Sequence, residues 1–153
     1  MSYHMVALGF LGVSGAYMSW SDFAYRRLPN IMTGTLAVTG LLASTVMLGS
    51  DQSFSNLLHV LIALGIGFLV FATSLIGSGD AKYYAAVAAW FPLVESLQLL
   101  GWVALTGFLI ACIWLIKTWL EPADELENPD FAKVPFGIAI AAGAFLAMVS
   151  LVR

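Results

Sequence analysis

Five apolar runs, each close to the roughly 20 residues that cross a bilayer's hydrocarbon as a helix, take up most of a 153-residue chain: Tyr3 to Trp20, Ile31 to Gly49, Leu57 to Ile76, Leu97 to Ile116 and Val134 to Val152. Hydrocarbon offers backbone N–H and C=O groups no partner, so runs of this kind cross as helices. A sixth run, Ala81 to Val94, is shorter and carries Pro92 near its end; it is expected to tilt or to continue past Glu95. With 61% hydrophobic residues, 10% charged and a mean hydropathy of +0.93, the chain is no ordinary soluble domain. The expectation is an all-α integral membrane protein, a compact bundle of about six transmembrane helices in one membrane-embedded domain over residues 1–153. Its surroundings are the lipid bilayer, and nucleic acid is not among its partners.

The first run has no basic region before it and no small-residue cleavage site after it, so it reads as a retained helix rather than a signal peptide. Orientation follows from the basic residues, which gather in cytoplasmic loops. With six alternating spans, Arg26, Arg27, Lys82, Lys117 and Lys133 share one side, while Asp51, Glu95 and Arg153 share the other. Both termini are therefore expected outside. Glycine and alanine recur along the spans, as in Ala141-Ala142-Gly143-Ala144, which suits close helix packing in lipid.

In a chain that avoids charge, two acidic motifs stand where apolar runs end: Ser21-Asp22 leading into Arg26-Arg27-Leu28-Pro29-Asn30, and Gly77-Ser78-Gly79-Asp80-Ala81-Lys82. Spans one and three run in the same direction, so Asp22 and Asp80 emerge at the same membrane face. Each has a structural reading. Asp22 precedes Arg26 by four residues, an i,i+4 pair, and Asp80 is placed to cap the next helix. Neither reading requires the two to coincide. Two carboxylates held close share a proton, so one serves as general base toward water while the other, protonated, polarises a peptide carbonyl.

At these residues the chain resembles the type IV prepilin peptidases. Asp22 with Arg27-Leu28-Pro29-Asn30 is similar to that family's Asp…Arg-Ile-Pro-Asn signature, and Gly77 to Lys82 to its Gly-x-Gly-Asp-x-Lys signature. A third stretch, Val134-Pro135-Phe136-Gly137 through Gly143, resembles a Pro-Tyr-Gly segment in its last helix. The resemblance implies a multi-pass aspartic endopeptidase of the bacterial inner membrane, its site facing the cytoplasm. Such an enzyme removes the basic leader of prepilins, cutting after a glycine ahead of the pilin's first hydrophobic helix. Asp22 and Asp80 are then the catalytic pair. Arg27, Pro29, Asn30, Gly77, Gly79, Lys82, Pro135 and Gly137 are motif residues that position site or substrate. The paired CxxC motifs of larger members are absent, so the short form resembles the peptidases of tight-adherence (Flp) pili, and N-methylation is not expected.

No cofactor and no metal are expected. Cys112 is the sole cysteine and lies inside an apolar run; there is no HExxH, and neither His4 nor His59 falls on the aspartate face. A serine-protease reading of Gly12-Val13-Ser14-Gly15 with His59 fails on depth, leaving Ser14 as helix packing and both histidines as interfacial. The Pro-Ala-Leu segment of presenilin-type proteases is also missing. Glu121, Asp124, Glu125, Glu127 and Asp130 form an acidic stretch whose field would attract a basic leader. The rival outside enzymes is a small proton-coupled transporter or pilus assembly factor with Asp22 and Asp80 as relay residues. The pilin and the oligomeric state are not written in the sequence.

Overall fold

The structure, a computed structural model, describes residues 2–73, 76–120 and 134–152. Helices α1 (Tyr3–Tyr25), α2 (Asn30–Leu48), α3 (Ser50–Ala72), α4 (Ser78–Ala88), α5 (Ser96–Leu120) and α6 (Phe136–Leu151) follow one another, with a 3₁₀ turn at Leu93–Glu95, and no strand occurs among the described residues. Among the described residues, three segments are long and apolar enough to cross a membrane: Asn30–Leu48, Ser50–Ala72 and Leu93–Lys117. The fourth expected span is corrected. Instead of running from Ala81 to Val94 or beyond, α4 starts at Ser78 and stops at Ala88, because Pro92 disfavours helical backbone at Phe91 and supplies no N–H. At 11 residues it is about 16 Å long, roughly half the hydrocarbon thickness.

A short helix is tolerable there because α4 lies at the centre of the bundle. Tyr83, Ala85, Ala86, Val87, Ala88, Ala89, Trp90 and Phe91 are all buried, wrapped mainly by α2 and α3. Non-helical backbone at such depth needs protein partners, and the carbonyls past the end of α4 have them. The Asn56 amide donates to the Ala89 carbonyl at 2.9 Å, the Tyr3 hydroxyl to that of Trp90 at 2.9 Å, and His59 Nδ1 to that of Phe91 at 3.0 Å. His59 is thus corrected from an interfacial histidine to a buried one, with its proton fixed on Nδ1 because a carbonyl can only accept. His4 is half-buried, edge-on to Tyr3. The Trp90 indole in turn donates to the Leu36 carbonyl at 3.0 Å, which requires α2 to pass close by. Gly40 allows this, since a Cβ there would lie 2.8 Å from Trp90 Nε1.

Inside and outside are not distinguished by hydrophobicity. Val13, Ile31, Phe68 and Leu97 point outward, whereas the interior holds many alanines together with Thr33, Ser44, Asn56 and Thr106. That is the pattern of helices associating in lipid, where small residues and interhelical hydrogen bonds replace the hydrophobic drive.

Candidate active site

One end of the bundle collects the C-terminal ends of α1 and α5 and the N-terminal ends of α2, α4 and α6. The turn out of α1 builds the first part. Arg26 adopts a left-handed conformation at φ 53° and its N–H closes on the Asp22 carbonyl at 3.1 Å, ending the helix. The Ser21 hydroxyl donates to the Arg27 carbonyl at 2.6 Å, folding the chain back toward Pro29, which caps α2. Asp22 is left facing inward at 8% exposure.

Its carboxylate accepts the backbone N–H of Gly137 at 2.8 Å. Gly137 is the second residue of α6, so this N–H is one of the donors that a helix start leaves unpaired, at the positive end of the helix dipole. A side chain at 137 would be impossible without movement: its Cβ would fall 2.8 Å from Asp22 Oδ2 and 3.1 Å from Asp22 Cβ. The buried Pro135 caps α6 and delivers Gly137 to this contact.

Asp80 is the third residue of α4, not its cap. Gly77 holds the cap position, and the Asp80 carboxylate reaches back to accept the Gly77 N–H at 3.3 Å, one arm of a capping box. Gly79 faces Leu28, which packs the start of α4 against the turn leaving α1. Burial pushes the Asp80 carboxyl up to about 6, and the negative charge of Asp22 pushes in the same direction, against the Gly77 hydrogen bond. Asp22 is likewise raised by burial, opposed by the Gly137 hydrogen bond and by the Arg26 charge. Asp80 is therefore brought within the field of Asp22, and burial makes both carboxyls favour holding a proton.

Around them, Lys82 is exposed and directs Nζ to Asn30 Oδ1 at 3.5 Å, the outer limit of a hydrogen bond, so Lys82 and Asn30 form a polar rim. Arg27 is exposed and contributes its carbonyl to the turn. The three motifs, far apart in sequence, thus converge. The acidic stretch from Glu121 to Asp130, with Lys133, lies outside the described residues. Sequence reasoning assigned no role to Ser21 or Trp114. A hydroxyl one residue before the aspartate was a visible signal for Ser21; the guanidinium of Arg26 over the Trp114 ring at 5.0 Å had none, since 88 positions separate them. Ser14 and His59 do not form a catalytic pair: the Ser14 hydroxyl donates to the Phe10 carbonyl of its own helix, and His59 holds Phe91.

The arrangement is an all-helical bundle with segments long and apolar enough to cross a membrane, and with the charge of Asp22 acting on Asp80 at one end. The chain belongs to the type IV leader peptidase family, whose model matches residues 9–116, including both aspartate motifs and ending before α6. No match is found among curated proteins or among solved structures.

Proposed function

We propose that this peptidase is a prepilin leader peptidase working by an aspartic mechanism at the cytoplasmic face of a bacterial inner membrane, as one domain with both termini outside and a Flp-type prepilin as substrate. The observation that carries the reading is the convergence of Asp22 and Asp80 at one end of the bundle, where the charge of Asp22 helps to raise the Asp80 carboxyl. Asp22 has the shorter hydrogen bond and a neighbouring cation, so it is the partner better suited to ionise. Asp80 is better suited to keep the proton. Ionised Asp22 takes a proton from water as the oxygen bonds to the scissile carbonyl carbon, and Asp80 gives its proton to the carbonyl oxygen. Collapse of the tetrahedral intermediate breaks the C–N bond, the amine leaves with the proton held by Asp22, and Asp80 recovers its own. Placement of both carboxyls at helix ends, rather than at the bundle's mid-depth, favours this over a proton relay.

The test is co-expression with a Flp-type prepilin, following loss of the leader on a gel. Asp22→Asn and Asp80→Asn should each abolish cleavage while the protein still folds, and the double variant should be no worse than either, because members of one unit fail non-additively. Substantial cleavage by well-folded Asp80→Asn would falsify the assignment.

A further inference from the structure

We infer that the groove between α3 and α5 is the seat of the substrate's own membrane helix, lying with its N-terminal end at Asp22 and Asp80. The inference rests on the leader-peptidase reading and adds where the uncut part of the substrate is held. α3 packs on α4 and α5 on α6, leaving between them a cavity of about 350 Å³ floored by Tyr84 and Ile140. Its far end is bounded by Leu93 and Leu97, its near end by Ala81 and Phe136. The lips are apolar and outward-facing, with Ile66 at 56% and Leu100 at 51% exposure. Ala63, Gly67 and Ala104 keep the walls low, as on surfaces where membrane helices approach closely. A space of this size takes a ridge of several large side chains rather than an entire helix, so the occupant sits in the mouth and inserts one face.

What selects a protein helix over a lipid tail is where the groove ends. Ala81 follows Asp80 in sequence, and Phe136 precedes Gly137, whose N–H holds Asp22. The apolar wall therefore ends one residue along α4 from Asp80 and one residue along α6 from the glycine that holds Asp22. A lipid chain has no need to stop there, but a chain cut just ahead of an apolar helix must present that helix's first residues at this point. The helix then runs in the same direction as α4 and α6, and the segment before it passes out over Lys82 and Asn30.

The test uses a probe substrate with a lysine-rich leader ending in glycine, joined to an apolar helix of about 20 residues, in a Cys112→Ser background. Ala104→Trp fills the groove and should lower kcat/KM on this probe by about tenfold or more. Val38→Trp puts the same bulk on the outward face of α2 and should leave it within about twofold. Independently, Ala104→Cys combined with Asp80→Asn should form a disulfide, under copper phenanthroline, with a cysteine in the middle of the probe helix, whereas Val38→Cys should not. This second readout holds even if the tryptophan variant folds poorly. A wild-type protein that leaves the probe uncut overturns the leader-peptidase reading. Normal wild-type cleavage, an equally active Ala104→Trp and no disulfide at Ala104 overturn the groove alone, and assign it to lipid.

Discussion

At the scale of single residues, the contact that most tightly defines the site is the 2.8 Å hydrogen bond from Gly137 to Asp22. Gly137→Ala places a Cβ where Asp22 Oδ2 now lies, so either the carboxylate swings away or α6 retreats. Activity is expected to fall by about 10²-fold, the usual order for a reacting group displaced by an ångström, with a stability loss of about 1–3 kcal/mol from overpacking. Cleavage rate and thermal unfolding in detergent measure the two; an alanine variant with undiminished rate would show that this contact does not hold the reacting geometry. Asp80 gives a prediction in pH. Its carboxyl goes from 3.8 to about 6 on folding, so the fold favours the protonated form, and the stability this supplies is present below pH 4 and lost as pH rises through about 6. Asp80→Asn should therefore be more stable than wild type at pH 7, by on the order of 1 kcal/mol once solvent screening is allowed for. The difference should vanish below pH 4, and a parallel pair of stability curves from pH 4 to 7 would contradict it. Because the proton on Asp80 is the one the mechanism spends, kcat/KM should decline on the basic side from about pH 6.

At the scale of elements, α4 shows how a helix too short to span is kept at depth. Its far end is held by three side chains from α1 and α3, namely Tyr3, Asn56 and His59, while its near end carries Asp80. Asn56→Leu keeps the branching of the side chain but leaves the Ala89 carbonyl buried without this donor. It should cost about 1–3 kcal/mol, the penalty for an unsatisfied buried polar group, read as a lowered Tm in detergent. A Tm equal to that of wild type would mean that water replaces the amide. The length of the apolar runs made five of the six described helices legible in the sequence. The extent of α4 was not legible, because its end is set by Pro92 together with partners more than 30 residues away, and His59 was misread for the same reason.

At the scale of the whole molecule, the structure gathers Arg26 and Lys117 over one ring, Trp114, at the aspartate end. If that end faces the cytoplasm, an Arg27→Cys variant in a Cys112→Ser background should react with maleimides only after the membrane is permeabilised. Labelling of intact cells by an impermeant reagent would reverse the topology and move the proposed site to the wrong side for a cytoplasmic leader.

What the sequence by itself determined is the part governed by local chemistry. Apolar runs had to become helices because lipid satisfies no backbone group, and the parity of those runs put Asp22 and Asp80 at a common end whatever the fourth segment did. The glycines were visible as residues; what each one lets approach was not. In lipid an outward leucine and an inward one look alike, since the solvent is as apolar as the core. Which faces meet is therefore decided by shape and by a few buried hydrogen bonds. Only the tertiary structure set Gly137 against an aspartate 115 positions away, closed α4 at depth with Tyr3, Asn56 and His59, and left α3 and α5 apart.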